Sequence, residues 1–353
     1  MNNSINQAVY RPAWLVKPTH ACNFDCKYCY DKDMRRKYGD GIMTMEVWER
    51  IVRIASKYNA LIVFHGGEPL MVGVDWYREA FEIADKYPPL SYGMQSNLSL
   101  LNEEYIELFK ERNLTMGGSY DFTAQEDYRG EGTLEKIRLA KEMEFPVSCI
   151  CVVTKKNIFN LVEIFETASK ELISRSLAFN PLFYTRSTKD NNMDLLSVKD
   201  LKEGFGCFFT YYRDRLNRDF YEREAETFSG LVKGMGAKSC LYNDCRITWV
   251  GVASNGDVYP CDRRYGDEYK YGHITDFNVV TDFLLTSGFS MLYRNTEKRY
   301  KNHCSKCDYF CVCNGGCNGR HVEAGSLSRV DSSACNYMHI MYSVAKEVFI
   351  NDS

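Results

Sequence analysis

Short apolar segments alternate with longer amphipathic segments through the first half of the chain. The apolar segments have the length of buried strands, and the amphipathic ones repeat apolar residues every three or four positions, which is typical of helices. Strands are predicted at 13–19, 61–69, 90–97, 114–121, 146–154 and 175–183. Helices are predicted after Thr44 as N-cap, from Asp75, and at 102–112, 133–144 and 158–171. Such an alternation with short links predicts an α/β fold, in which helices cover a sheet of parallel strands.

The turns with unusual composition all fall where a predicted strand ends. They are the segment 22–30 with three cysteines, the turn "GGEP" at 66–69, "QSN" at 95–97 and "SYD" at 119–121. Six strand–helix units are too few for a closed barrel of eight. In barrel folds the chemistry lies at the carboxyl ends of the strands. We therefore expect these turns to meet at one functional site.

The second half of the chain has a different pattern. Residues 190–236 are helical and strongly charged, and Gly234 and Gly236 mark a boundary. Beyond it, Asn255-Gly256 within "SNGDVYPCD" predicts a β-hairpin with a type I′ turn. The predicted organisation is a tail at 1–12, a core at 13–189, a helical end and linker at 190–236, and a cysteine-rich domain at 237–353.

Composition limits the possible functions. The 353 residues are 45% hydrophobic and 26% charged, with a formal net charge of −3. This balance gives no reason to expect nucleic acid as a partner. No apolar run has the length of a membrane span, and the polar start lacks the apolar stretch of a signal peptide, so we expect a cytoplasmic protein.

The fifteen cysteines are clustered. Three lie near the N-terminus and nine lie between Cys240 and Cys335, whereas Cys149, Cys151 and Cys207 are isolated and are expected to be small buried hydrophobes. In a reducing cytosol, clustered thiols are metal ligands more often than disulfides. The sequence therefore predicts metal centres at both ends of the chain.

Cys22, Cys26 and Cys29 suit an iron–sulfur cube with one open iron, because such a cube takes four ligands and only three thiolates are present. An open position can bind a small molecule. A structural zinc site is the alternative, with His20 as the fourth ligand.

This CxxxCxxC segment, followed by the aromatic Tyr30, resembles the signature of radical S-adenosylmethionine (SAM) enzymes. The resemblance implies a partial (β/α)6 barrel, open on one side, in which SAM chelates the open iron. It also implies a set of SAM-binding residues at the strand ends. Tyr30 would lie near the adenine; Gly66, Gly67 and Glu68 would bind the amino group; Asn97 and Ser119 would contact the ribose and methionine parts; and Arg129 would lie near the carboxylate.

The C-terminal cysteines resemble the SPASM extension of radical SAM enzymes, which carries two auxiliary four-iron clusters. The matching pattern is Cys245-x10-Gly256-x4-Cys261, then CxxCx5Cx3C from Cys304 to Cys317, then Cys335. A zinc ribbon would use four cysteines and leave the others over. The resemblance assigns the first auxiliary cluster to Cys240, Cys245, Cys261 and Cys317, and the second to Cys304, Cys307, Cys313 and Cys335. Cys311 is the extra thiol, which is either inert or a ligand in place of a neighbour. The alternative for Cys240 is that it is no ligand, because some relatives leave that iron open for substrate.

SPASM-bearing relatives mostly oxidise peptides or proteins, so the resemblance implies a peptide-modifying enzyme with three [4Fe-4S] clusters and SAM. We expect a maturase of ribosomal peptides that forms thioether or carbon–carbon bonds. The alternative is a sulfatase-maturing enzyme that makes formylglycine, and a non-catalytic electron carrier is a further one. The first strand begins near residue 13, so no separate leader-binding domain is expected before it, and "SYDF" departs from the SxDGP pattern of sulfatase maturases.

Asp262, directly after Cys261, is the candidate base that takes the proton released as substrate is oxidised. The competing interpretation is that Asp262 binds its own turn or pairs with Arg263, Arg264 or another nearby cation. A flavodoxin- or ferredoxin-like protein is the expected electron donor, and we expect a monomer.

Overall fold

The computed structural model describes residues 12–122, 132–182, 186–216, 218–237, 239–263, 266–323, 325, 327–329 and 332–350. The strands are β1 (Ala13–Val16), β2 (Leu61–Phe64), β3 (Ser91–Ser96), β4 (Thr115–Ser119), β5 (Val147–Val153), β6 (Ser176–Pro181), β7 (Tyr221–Glu222), β8 (Trp249–Val252), β9 (Asp257–Tyr259) and β10 (Gly272–His273). The helices are α1 (Lys32–Tyr38), α2 (Met45–Ala55), α3 (Val74–Ala84), α4 (Glu103–Glu111), α5 (Thr133–Glu142), α6 (Leu161–Glu171), α7 (Arg186–Asp190), α8 (Val198–Asp214), α9 (Arg223–Val232), α10 (Ser287–Asn302), α11 (Phe310–Cys313), α12 (Asn318–Glu323) and α13 (Ser332–Phe349).

Strands β1 to β6 pair in parallel with their neighbours in the chain, which confirms the predicted α/β fold. The sheet does not close into a barrel, because β10 and β7 are its two ends. Helices pack their apolar residues on it: Trp48 of α2 and Tyr77 of α3 both contact Phe64 of β2, with ring centroids 5.5 and 5.2 Å apart. All parallel strand ends that carry the unusual turns therefore point the same way.

The C-terminal hairpin continues the same sheet. Strand β8 pairs in parallel with β1, and β9 and β10 follow in antiparallel order. At the opposite edge, β7 pairs with β6. The domain bounds stay a prediction, but hydrogen bonds of the sheet cross the bound at 237. The physical reason is that the open half-barrel leaves β1 with an unpaired edge, and the hairpin covers it.

The hairpin was predicted correctly, but its turn type was wrong. A type I′ turn needs a positive φ at both central residues. Only Gly256 has one, at 93°, and Asn255 does not. The amide of Gly256 donates to the Ala253 carbonyl at 2.9 Å, so residues 253–256 form a four-residue turn whose last residue is a glycine with positive φ.

Most local predictions for helices are confirmed. Thr44 caps α2 by accepting from the Val47 amide, while α3 begins at Val74, one residue before the predicted Asp75. Cys149 and Cys151 are buried on β5 as expected, but Cys207 is exposed. It lies on α8 between the buried Phe205 and Phe208 but points away from their face, because successive helical residues turn by about 100°.

The last helix returns to the barrel. On α13, Phe349 packs against Phe209 of α8 with ring centroids 5.5 Å apart, and the Val348 carbonyl accepts from Arg213 at 2.9 Å. The cysteine-rich region is thus fixed to the barrel at β1 and at α8. Within the described part of the chain, no helix is long and apolar enough to cross a membrane.

Candidate active site

The cysteine loop, residues 22–29, follows the carboxyl end of β1. The guanidinium of Arg35 on α1 donates to the carbonyls of Cys22 and Phe24 at 3.1 and 3.2 Å, and the Cys29 amide donates to the Cys26 carbonyl at 3.1 Å. These contacts fold a polar loop without regular structure into one compact turn.

The three thiols of this loop influence one another. Burial, together with smaller effects of Asp31, Cys26 and Cys22, raises the pKa of Cys29 to about 12. Burial likewise raises the pKa of Cys22. Neighbouring buried thiols become thiolates when a metal centre takes up their negative charge. The donor set therefore fits an iron–sulfur cube bound through three thiolates, as predicted.

His20 does not complete a zinc site. Its side chain is fully buried, its ring stacks on Tyr38 with centroids 4.8 Å apart, and its Nδ1 lies 3.6 Å from Asp31 Oδ2. Burial lowers the pKa of His20, so the imidazole is neutral. The ring belongs to the packing behind the loop, which leaves the three thiols without this fourth ligand.

Gly66 and Gly67 form the turn after β2 and lie against the chain that leads into the cysteine loop. A Cβ on Gly67 would stand 2.0 Å from the Ala21 carbonyl oxygen, and one on Gly66 would stand 2.7 Å from that of Thr19. The Glu68 amide also donates to the Ala21 carbonyl at 2.7 Å. The glycines are needed because only a residue without a side chain permits this approach.

Glu68 points inward, and its part in binding the SAM amino group stays a prediction. The side chain is fully buried, and its oxygens accept from the amides of Asn97 and Leu70 at 2.7 and 3.0 Å and from the Ser96 hydroxyl at 2.7 Å. Burial raises the pKa of Glu68 to about 7, against the effect of these hydrogen bonds. The carboxyl group therefore fixes the end of β3 to the turn after β2.

Asn97 and Ser119 stand at the ends of β3 and β4 as predicted. The Asn97 amide group donates to Asn23 Oδ1 at 2.9 Å and lies 4.0 Å from Cys22 Sγ, so it borders the cysteine loop. The Ser119 hydroxyl accepts from Gln95 at 2.9 Å. Arg129, the remaining SAM contact that was predicted, lies outside the described residues.

Asp262 joins the two ends of the chain. Its carboxylate accepts from the Tyr30 hydroxyl and lies 3.3 Å from His65 Nδ1, at the end of β2. The Lys17 ammonium, at the end of β1, donates to the Asp262 backbone carbonyl at 3.0 Å and forms an ion pair with Asp31. The candidate base from the hairpin is thus surrounded by residues of the barrel.

The charges in this cluster control its ionisation. Burial acts to raise the pKa of Asp262, but His65, Lys17 and the hydrogen bond from Tyr30 outweigh it and hold the pKa well below the usual range. Burial acts to lower the pKa of Lys17, and Asp31 and Asp262 outweigh that too. Both groups are therefore charged at neutral pH. The alternative in which Asp262 only binds its own turn does not describe these contacts.

Sequence reasoning missed Lys17, Asp31 and His65. One signal was present: Lys17 is a charge inside an otherwise apolar strand segment, and a buried charge needs a partner. That partner, Asp31, follows Tyr30 directly. Nothing in the local pattern around His65 indicated that it approaches a residue almost two hundred positions away.

Four C-terminal cysteines come together next to this cluster. Burial raises the pKa of the Cys240, Cys245 and Cys261 thiols, and Cys317 raises the pKa of all three as well. Cys240 also acts on Cys245, and Cys245 acts on Cys261. This is the set that the resemblance assigned to the first auxiliary cluster, including Cys317 from the distant part of the chain. Its thiols fit a shared centre for the same reason as those of the cysteine loop.

The second set is also brought together. Cys304 and Cys307 both raise the pKa of Cys313. Cys335 stands near the start of α13, one helical turn before His339, whose Nε2 lies 3.6 Å from Cys307 Sγ. Cys311 is exposed, and its thiol lies 3.6 Å from the Asp308 carbonyl, outside this set. Among the described residues, no three Cys, His or carboxylate side chains are arranged for a single metal ion.

The comparisons with known proteins agree with this geometry. The radical SAM superfamily model matches residues 16–168, and the model of the SPASM iron–sulfur cluster-binding domain matches residues 244–308. A cysteine-type anaerobic sulfatase-maturating enzyme of Clostridium novyi is 28% identical over 86% of this chain and 87% of its own length. The serine-type enzyme of Bacteroides thetaiotaomicron is 26% identical over 86% and 81%.

Solved structures share the fold. The structure of histidine-tagged anSMEcpe with bound AdoMet covers 96% of this chain and 98% of its own, with a TM-score of 0.78 at 24% identity. SuiB of Streptococcus suis bound to S-adenosylmethionine covers 92% and 77%, with a TM-score of 0.67 at 19% identity. With one domain model over the parallel strands and the other over the C-terminal cysteines, the chain belongs to the radical SAM enzymes that carry a SPASM domain.

Proposed function

We propose that this enzyme matures a sulfatase under anaerobic conditions by oxidising a Cys or Ser side chain of its protein substrate to formylglycine. The observation that carries the proposal is the similarity to sulfatase-maturating enzymes over 86% of the chain. The sequence had favoured a maturase of ribosomal peptides; the relatives favour its alternative. The departure from SxDGP at 119–123 does not outweigh a similarity of this length.

The cofactors would be SAM and three [4Fe-4S] clusters. When bound, SAM and the first cluster would supply one-electron chemistry: with an electron from a reductant, SAM would be cleaved to methionine and 5′-deoxyadenosine, and the substrate would lose a hydrogen atom. Cys22, Cys26 and Cys29 would hold that cluster, and the two C-terminal sets would hold the auxiliary clusters. The barrel residues around the loop would bind SAM at the strand ends, with Gly66 and Gly67 keeping the backbone close.

Asp262 is our candidate acceptor for the proton that the substrate thiol or hydroxyl loses. The side chain of Asp262 is 11% exposed. Its carboxylate stands between the cysteine loop and the first auxiliary set and is oriented by Tyr30 and His65. A general base must first be within reach of the proton. Lys17 would hold the hairpin in place through the Asp262 carbonyl.

We also propose that the enzyme is a monomer that receives electrons from a flavodoxin- or ferredoxin-like protein. A low-potential donor is needed because reductive cleavage of SAM is difficult, and iron–sulfur centres reach the required range.

The test is a mass-spectrometric assay under strict anaerobiosis. Reconstituted enzyme, SAM and a strong reductant are incubated with two synthetic peptides from a sulfatase active site, one with Cys and one with Ser at the target position. We expect an aldehyde that hydrazide reagents trap in at least one peptide. A thioether or carbon–carbon cross-link without an aldehyde would instead support the peptide maturase. SAM cleavage with neither product would contradict both substrates.

A further inference from the structure

The second C-terminal cysteine set has a histidine partner that no motif indicates. His339 lies four residues after Cys335 on α13, so both side chains share one face of the helix. Its Nε2 stands 3.6 Å from Cys307 Sγ. The ring stacks on Tyr309, two residues after Cys307, with centroids 4.0 Å apart and planes inclined by 23°. Helix α13 and the ring of Tyr309 therefore hold the His339 imidazole next to Cys307 Sγ.

Arg299 approaches the same set from the last turn of α10. Its side chain is fully buried, and its guanidinium donates to the Leu327 carbonyl at 3.1 Å and to Asn318 Oδ1 at 2.7 Å. Among the described residues, no carboxylate forms an ion pair with it, and its buried Nε has no hydrogen-bond partner. A buried cation without a counter-charge is strongly unfavourable. Cys304 follows five residues later, and its thiol has the Arg299 guanidinium as a hydrogen-bonding neighbour.

The first set has different surroundings. Cys261 Sγ lies 3.1 Å from the Asp262 carboxylate, and Asp244 acts on Cys245, while Arg263 acts on Cys240. Carboxylates and cations are thus mixed around the first set. The groups that contact or act on the thiols of the second set include the Arg299 cation and the His339 imidazole.

We propose that His339 and Arg299 form a polar shell for the second auxiliary cluster, in which His339 Nε2–H donates to Cys307 Sγ and Arg299 supplies the counter-charge beside Cys304. This inference rests on the proposed second cluster at Cys304, Cys307, Cys313 and Cys335. A four-thiolate cluster gains negative charge on reduction, so a donor to its sulfur and a nearby cation stabilise the reduced form. The shell raises the reduction potential of this cluster.

The experiment is an EPR-monitored redox titration of the reconstituted enzyme without substrate. The protein carries the Cys22, Cys26 and Cys29 to Ala changes, so that only auxiliary clusters contribute. His339→Phe keeps a ring to stack on Tyr309 but removes the donor, whereas His339→Gln retains an N–H donor. We expect His339→Phe to lower one of the two auxiliary potentials, His339→Gln to lie between it and the parent, and the other potential to stay unchanged as an internal control.

Arg299 provides an independent pair of variants. Arg299→Lys keeps the charge and should hold the potential nearer to the parent value than Arg299→Gln does. If the Arg299 variants fail to fold, the His339 pair decides alone.

Three results would overturn the inference. They are an unchanged potential in His339→Phe, a loss of about four iron atoms in that variant, which would make His339 a cluster ligand, and a parent protein with only one auxiliary cluster. The last result leaves the peptide assay for formylglycine unaffected. A failure of that assay with both auxiliary clusters present would in turn leave the polar shell intact.

Discussion

The cysteine loop and the first auxiliary set, which we propose bind the same kind of centre, arrange their cysteines in opposite ways. Cys22, Cys26 and Cys29 lie within eight residues on one loop. The four auxiliary thiols come from separate parts of the chain. Cys240 lies in a short turn, Cys245 before β8, Cys261 after β9, and Cys317 in the segment after α11. A local ligand set is recognisable in the chain before folding, whereas a dispersed one exists only after the fold has formed. Metal binding and folding are therefore coupled more strongly in the second design.

Asp262 contacts both the cysteine loop segment and the first auxiliary set. It comes from the hairpin that supplies Cys261, and it accepts from Tyr30, the residue after the last cysteine of the loop. The pairing of β8 with β1 makes this contact possible. The site is thus a junction between two iron–sulfur regions.

The largest expected effect follows from removal of the local set. Changing Cys22, Cys26 and Cys29 together to Ala should abolish SAM cleavage and reduce the iron content from about twelve to about eight atoms. The remaining fold should keep its melting temperature within a few degrees, because the loop contributes little to the core. Iron analysis measures the iron content, release of 5′-deoxyadenosine measures SAM cleavage, and thermal unfolding measures the melting temperature. A protein that no longer folds would show that the loop is as coupled to folding as the auxiliary sets.

Replacing Asp262 should separate the function of the cysteine loop from that of the first auxiliary set. Asp262→Asn should retain all iron and SAM cleavage but lose product by roughly 10²- to 10⁴-fold, the usual contribution of a general base. Deuterium transfer from labelled substrate into 5′-deoxyadenosine reports hydrogen abstraction and should persist. Unimpaired product formation would exclude Asp262 as the base, and loss of iron would give it a structural role.

A single cysteine of the dispersed set should affect folding as well as iron. Cys245→Ala removes a buried ligand and should lower both the iron content, by up to about four atoms, and the melting temperature of the holoenzyme. Cys311→Ala is the matched control, since that exposed thiol lies outside both sets. Equal melting temperatures for the two variants would contradict the proposed coupling.

The smallest effect is expected from replacement of Gly67, which lies against the chain that leads into the cysteine loop. Gly67→Ala would place a Cβ 2.0 Å from the Ala21 carbonyl oxygen and force the cysteine loop away from β2. We expect weaker SAM binding and a loss of about 1–3 kcal/mol in the free energy of unfolding, the usual range for overpacking. Gly41→Ala, which meets nothing within 4 Å, is the control and should behave as the parent. SAM binding by equilibrium dialysis and thermal unfolding provide the measurements.

The sequence by itself determined the six strand–helix units and showed the clustering of the cysteines. Both signals are local, because helical and strand periodicity repeats within a dozen residues and the three cysteines of the loop lie within eight. The division of the C-terminal thiols into two sets came from the family resemblance, since spacing alone would group Cys317 with its neighbours in the chain. The strand ends that carry Gly66, Asn97 and Ser119 followed from the same periodicity, because parallel strands bring their carboxyl ends together.

Only the tertiary structure decided the rest. Strand β8 pairs with β1 because the barrel leaves that edge of β1 open. Neither the turn type nor the strand pattern in the sequence specifies which strand β8 pairs with. The inward direction of Glu68 and the meeting of Asp262 with Lys17 and His65 are set by packing between segments far apart in the chain. Side-chain direction and long-range charge pairing depend on those contacts, so the chain alone could supply the ligands but not their surroundings.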